Sequence, residues 1–438
     1  MTPPRPLSLA LALALAAGLA AGCVAVPPPL GEADAADTAG DGGADDEGVD
    51  GVSDAVAPGS AIAGLSCGRQ HCCARDERGA VSCWGDQRHA QLGAGVHGVA
   101  APARAVTGLA SVASGAFHAC GLDADGRLVC WGYNEHYQSH FPINAAVEAP
   151  RLYDDDGGPV PADAPVTRVF GGAGFSMCGA TGAAGLACWG AVLDGQVVDF
   201  DGMVGNIARS EPVAVAALDG VAIVDACTGQ AHACAVTSGG AVLCWGRDDQ
   251  GQLGLGDLGV RAAPTVLGAL AGVDARAVAC GLRFTCVAGV DRGTAAPALR
   301  CFGENADGQS GATPSAAEAT PVVLDDALGG REVRALALGD AHACALLGPG
   351  EGEGAASLWC WGAEDAGQLG PGAPGARFRP GRVPLDFTPT AVAAGQRATC
   401  AAAGAEVWCW GSDVWGQLGT GTYGLSRNPT PRRIALPE

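Results

Sequence analysis

The chain has 438 residues, 70 of them Gly and 27 Pro, with aromatics at only 5%; this excludes a protein built of long helices and fits many short strands joined by tight turns. The formal net charge is −21 and all 25 basic residues are Arg, a balance that repels a nucleic-acid backbone and excludes DNA or RNA as a partner. Nineteen Cys place the chain in an oxidising compartment unless they hold metals.

The N-terminus carries one positive charge, Arg5, followed by a 16-residue apolar run from Leu7 to Gly22. The run is shorter than the roughly 20 residues needed to cross hydrocarbon, and its charge-then-apolar order is that of a signal peptide. It ends Leu19-Ala20-Ala21-Gly22-Cys23, which resembles the bacterial lipobox. That resemblance implies removal of residues 1–22 and lipidation, typically with palmitate, at Cys23. Ala20 departs from the branched residue usual there, and plain secretion with a cut near Ala21 or Gly22 is the alternative. Val24 rather than Asp follows the Cys, so the known inner-membrane retention signal is absent. The expected location is the cell envelope, at the outer membrane or cell surface.

Residues 23–58 read as a lipidated Cys followed by an acidic tether. Nine acidic and no basic residues lie between Gly31 and Pro58, with almost no large apolar side chains; such a segment cannot bury enough surface to fold and acts as a self-repelling spacer.

Residues 59–438 form one repeat domain. The unit reads Gly-x-x-His-x-Cys, about ten residues, Cys-Trp-Gly, then a polar stretch ending Gly-Gln-Leu-Gly, and recurs every 47 to 58 residues. Its seven copies pair Cys73 with Cys83, Cys120 with Cys130, Cys178 with Cys188, Cys234 with Cys244, Cys286 with Cys301, Cys344 with Cys360 and Cys400 with Cys409. Strand-like runs such as Leu128–Trp131, preceded by turn clusters such as Asp123-Ala124-Asp125-Gly126, put the two Cys on antiparallel neighbours of a hairpin. Directly opposed positions bring Cβ atoms within disulfide range, so seven hairpin disulfides are expected. Zinc usually takes Cys-x-x-Cys knuckles, and none is present; no metal and no cofactor are expected. Four Cys remain outside this pattern. Cys227 and Cys280 could bridge adjacent inner strands and Cys67 and Cys72 could close a small loop, but their pairing stays open.

Repeats of this length point to a propeller, a solenoid or an array, and the strand-turn-strand spacing within each copy selects an all-β propeller with one blade for each of the seven copies. The segments Cys244–Gly256 and Cys409–Gly421 are similar to the repeat of the regulator of chromosome condensation family. The resemblance covers about residues 62–436 and implies seven blades of four strands; the paired Cys suggest an exported bacterial lipoprotein branch. The first repeat lacks the Pro-x-x-Val-type strand seen at Pro264–Val266, and residues 428–434 follow the last repeat. The ring is therefore expected to close by the C-terminal strand joining the first blade. The Cys-to-Cys hairpins are expected on one face, with the blade-to-blade connections, including Tyr133 to Pro165 and Ala191 to Glu211, on the other.

Candidate chemistry is sparse. His71, His118, His232 and His342 share one repeat position, but Ser176, Phe284 and Ala398 occupy it elsewhere; that tolerance reads as structural rather than metal-binding. No nucleophile elbow or metalloprotease motif is found, and no catalytic residue is assigned. The most irregular segment holds Tyr133, His136, Tyr137, Phe141, Tyr153 and the run Asp154, Asp155, Asp156. Aromatics on loops suit a recognition surface, or alternatively anchor the loop. The expected function is a membrane-tethered monomeric scaffold, not an enzyme, that binds a protein or envelope ligand through one propeller face. The alternatives are a polysaccharide lyase or hydrolase and a lectin-like module.

Overall fold

The computed structural model describes residues 60–93, 103–135, 146–152, 166–182, 184–191, 208–373 and 375–437. These form seven four-stranded antiparallel sheets, each built from strands consecutive in sequence. Blade 1 holds Ile62–Cys67, His71–Asp76, Val81–Gly85 and Ala103–Val106. Blades 2 to 4 begin with Leu109–Ser114, Val166–Phe170 and Ile223–Thr228, and end with Ala146–Leu152, Ala208–Ala214 and Arg261–Val266. Blades 5 to 7 begin with Val273–Cys280, Val333–Leu338 and Ala391–Ala394, and end with Ala317–Val323, Arg377–Arg382 and Leu425–Ile434. The first strands of neighbouring blades pack against one another around the axis, and the second and third strands are almost wholly buried. The described residues form a seven-bladed β-propeller.

The repeat motif explains the blade-to-blade joints. Trp84, Trp131, Trp361 and Trp410 are fully buried, and each indole donates to the backbone carbonyl of the Gln in the preceding blade's Gly-Gln-Leu-Gly-type turn: Gln417, Gln91, Gln309 and Gln368. In two of these joints the turn's closing Gly packs directly against the indole. A Cβ on Gly93 would come within 2.8 Å of Trp131, and one on Gly419 within 2.9 Å of Trp84, both at positive φ. Phe302 has no N–H to offer, and there the Thr285 hydroxyl donates to the Gln252 carbonyl instead.

The seven hairpin disulfides are present as expected. They join Cys73 to Cys83, Cys120 to Cys130, Cys178 to Cys188 and Cys234 to Cys244. Cys286 is joined to Cys301, Cys344 to Cys360 and Cys400 to Cys409. In each pair the two Cys are directly opposed across the second and third strands, with Cα atoms 4.1 Å apart. The longer hairpins that end at Cys301 and Cys360 keep this register, because their extra residues extend the strands and the tip beyond the pair. The remaining Cys form Cys67–Cys72, within blade 1, and Cys227–Cys280, between the first strands of blades 4 and 5.

Three expectations require correction. First, the C-terminal strand does not complete blade 1: Leu425–Ile434 pairs with Glu406–Asp413 inside blade 7, while Ala103–Val106 supplies the fourth strand of blade 1. The ring closes by packing. Gln396 N–H donates to the Arg69 carbonyl, Ile62 N–H to the Gly404 carbonyl and Trp84 to Gln417. Second, neither Tyr133 to Pro165 nor Ala191 to Glu211 is wholly a blade-to-blade connection: only the part of the first stretch after Leu152 leads from blade 2 to blade 3. The strands Ala146–Leu152 and Ala208–Ala214 lie within or begin in them, so each stretch contains a link from the third to the fourth strand of one blade. Third, with strands alternating, the second hairpin and the connection to the next blade share one end of the blade. Leu109 N–H bonding the Gly79 carbonyl and Ala275 N–H bonding Gly240 show that contact.

Candidate functional site

The opposite face carries the turns between first and second strands together with the third-to-fourth connections. The two sets are joined by hydrogen bonds such as Tyr133 N–H to the Phe117 carbonyl. The Gly of each Trp-Gly makes this geometry. Gly132 has φ 103°, and a Cβ there would stand 2.7 Å from the Phe117 carbonyl oxygen. The third-to-fourth register also shifts at this point. Such a break in the ladder re-aims the next side chain, and in blade 2 that side chain is Tyr133.

Four partly exposed rings from three blades meet here. His89 comes from the third-to-fourth connection of blade 1, Phe117 and Phe175 from the first turns of blades 2 and 3, and Tyr133 from the end of the third strand of blade 2. Ring centroids lie 5.0 Å apart for His89–Tyr133, 5.6 Å for His89–Phe117 and Phe117–Phe175, and 6.2 Å for Tyr133–Phe175. The crossings are tilted or edge-on, the favourable arrangement for aromatic pairs. Tyr133 donates its hydroxyl to the Glu135 carboxylate. Burial, then that hydrogen bond, pushes the phenol up to about 12, so it is a neutral donor at all ordinary pH. Towards blade 7 the strip continues with the Arg88 guanidinium 3.9 Å over the Trp415 ring.

The same face over blades 5 to 7 is polar. An open depression of about 680 Å³ is lined by Asp307, Asp340, Glu364, Asp365, Arg397 and Arg427 among others. Three of these four carboxylates are paired: Arg397 with Asp365, Arg427 with Glu364 at 3.3 Å, and Arg69 of blade 1 with Asp340 at 2.8 Å. Burial holds the Asp340 and Glu364 carboxyls above their ordinary range. This arrangement offers charge for recognition on a floor of fixed ion pairs.

Of the residues singled out in the sequence, Tyr133 lies in the aromatic cluster. His136, Tyr137, Phe141, Tyr153, Asp154, Asp155, Asp156 and the Cys23 lipidation site are outside the described residues. The strand Ala146–Leu152 separates the aromatic part of that segment from its acidic part, and the two leave it at opposite ends. They do not form one continuous loop. His71, His118, His232 and His342 are fully buried. His232 and His342 hydrogen-bond Thr285 and Thr399 of the next blade, which fits the structural reading. Phe117 and Phe175 escape a reading by motif because they occupy the residue before the His position, where the other repeats have Gln70, Ala231, Arg283, Ala341 and Arg397. An aromatic at that position in two consecutive repeats is the available signal.

Residues 62–91, 109–138 and 223–252 match the profile of the regulator of chromosome condensation (RCC1) repeat, and residues 239–288 match a second profile of the same description. The ultraviolet-B receptor UVR8 of Arabidopsis thaliana is 35% identical over 144 residues, covering 33% of this chain and 30% of that protein. The probable E3 ubiquitin-protein ligase HERC3 of Homo sapiens is 31% identical over 166 residues, covering 38% of this chain and 15% of that protein. The chain thus spans less than a third of the length of these curated relatives. Among solved structures, yeast RCC1 (Prp20) bound to Kap60 superposes with TM-score 0.67 at 20% identity, covering 86% of this chain and 85% of that one. Human WBSCR16 superposes with TM-score 0.64 at 21% identity, covering 77% and 85%. The chain carries RCC1-type repeats and folds as an RCC1-like propeller.

Proposed function

We propose that the chain is an exported, membrane-tethered scaffold that binds a protein through the face bearing His89, Phe117, Tyr133 and Phe175. The observation that carries this reading is the convergence of four rings from three consecutive blades on one face. Three of them belong to blades 2 and 3, which replace the Gly-Gln-Leu-Gly turn by other sequence, and His89 comes from the turn that blade 1 retains. Partly exposed aromatics held by a rigid frame lose little conformational entropy on binding, and interface energy concentrates in such anchors at about 2 kcal/mol or more each. Yeast RCC1, similar in fold, was solved with the protein Kap60 bound, which supports protein binding as a use of this architecture. Binding rather than catalysis is the activity assigned to this chain.

The test is capture from envelope extracts with immobilised protein. Phe117→Ala, Tyr133→Ala and Phe175→Ala combined should abolish capture while the circular dichroism of the sheets is unchanged. Undiminished capture would move the site elsewhere. The tether is tested separately: wild type should partition into detergent with the membrane, and Cys23→Ser should not. Recovery of wild type wholly in the aqueous phase removes the lipid anchor from the proposal.

A further inference from the structure

The hairpin disulfide of each blade faces the second strand of the next blade. In the seam between blades 6 and 7, Cys344 Sγ lies 3.9 Å from the Thr399 hydroxyl. The equivalent positions of blades 2 to 6 are Ala119, Met177, Ala233, Thr285 and Ala343. Only blade 1 places a Cys there. Cys72 Sγ stands 3.8 Å from Cys400 Sγ, so two disulfides, Cys67–Cys72 and Cys400–Cys409, abut across the seam. The sulfurs of Cys67, Cys72 and Cys400 all lie within 4.8 Å of one another. This seam joins the first blade to the last, and no shared strand crosses it.

Access to the two disulfides is unequal. Cys72 and Cys400 are buried, whereas Cys67 is partly exposed and lines a small void with Gly68, Arg69 and Gly395. A small thiol therefore reaches one sulfur of the four first.

We propose that these four Cys form an exchange relay, triggered by a low-molecular-weight thiol, that moves a disulfide across the seam and locks blade 7 to blade 1. The thiolate of the small molecule attacks Cys67 Sγ, forming a mixed disulfide there and breaking the bond to Cys72. The Cys72 thiolate so released attacks Cys400 Sγ, forming Cys72–Cys400 and expelling Cys409, which takes up the proton given by the incoming thiol. Two disulfides and one thiol stand on each side of the reaction, so no further oxidant or reductant is consumed. Exchange proceeds by attack of a thiolate on a disulfide sulfur, and a nucleophile held beside its target acts at a high effective concentration. The frame already carries one cross-blade disulfide, Cys227–Cys280, so a bond between blades is compatible with this architecture.

The experiment uses the full-length chain with free thiols first blocked by iodoacetamide. It is then exposed to glutathione, quenched with N-ethylmaleimide and mapped without reduction. The expected products are a Cys72–Cys400 linked peptide, glutathione on Cys67 and N-ethylmaleimide on Cys409. They should appear at least tenfold faster than label on Cys120 or Cys130, which report general opening of the hairpins. Label on both Cys67 and Cys72 with Cys400–Cys409 intact, or Cys409 labelled no faster than Cys130, overturns the relay. Two variants isolate the chemistry. Cys67→Ser should carry Cys72–Cys400 without added thiol, and Cys72→Ala should reduce Cys409 labelling to the Cys130 rate. A free Cys72 beside an intact Cys400–Cys409 in Cys67→Ser contradicts the proposal directly.

Discussion

His118 shows how one repeat position can be read from its surroundings. Its ring covers the Cα of Gly115, where any Cβ would run into the imidazole. Phe284 lies over Gly281 in the same way, which is why the position accepts Phe. Burial, together with the nearby His71, pushes the His118 pKa down to about 3, and burial pushes those of His71 and His342 down to about 4. The sign follows by linkage. A His whose folded-state pKa lies below its ordinary value contributes stability that is present above about pH 6.5 and lost as pH falls towards the folded value. Burial raises Asp248 to about 7 and Asp225 to about 6; their contribution runs the other way, present below the ordinary carboxylate range and lost as pH rises through 6 to 7. His118→Phe should therefore fold at pH 7 and lose less stability than wild type between pH 6.5 and 4, measured by urea unfolding at both pH values. An unchanged pH dependence would mean that His118 is charged or solvated in the native state.

At the scale of the strand, the hairpins are legible because alternating apolar runs, Gly-containing turns and opposed Cys all indicate the same pairing. Loop closure over about ten residues contributes a little under ~3 kcal/mol in the chain-entropy model. Cys120→Ala with Cys130→Ala should lower the unfolding free energy by about that amount and leave the propeller folded. A loss well under 1 kcal/mol would show the bond to be incidental to stability. The outer strands are less legible, and this is the source of the misplaced connections. Pro150 lies in Ala146–Leu152, Pro212 in Ala208–Ala214, Pro264 in Arg261–Val266 and Pro429 in Leu425–Ile434. A Pro reads as a loop or a link in sequence, yet an outer strand has one unpaired edge and tolerates the missing N–H. The first strands contain no Pro, and among the third strands only Pro297 occurs, at the very start of Pro297–Glu304.

At the scale of the whole molecule, seven copies of one motif are enough to predict the propeller. Closure and facing are not predictable in the same way, because both depend on contacts between residues far apart in sequence. The Arg69–Asp340 ion pair spans 271 residues and the Trp84–Gln417 hydrogen bond 333, and no local pattern announces either. The cluster of His89, Phe117, Tyr133 and Phe175 is of the same kind: each ring is visible in the sequence, but their meeting is a product of the ring. The central claim is that this face binds. Hydrogen exchange of the folded domain, with and without the protein captured from envelope extracts, measures it most directly. Protection should appear in the first turns around Phe117 and Phe175 and at Tyr133–Glu135, while the hairpin tips at Asp76–Ala80 and Asp123–Arg127 exchange as in the free chain. Protection confined to those hairpin tips would place the binding surface on the opposite face and contradict the account.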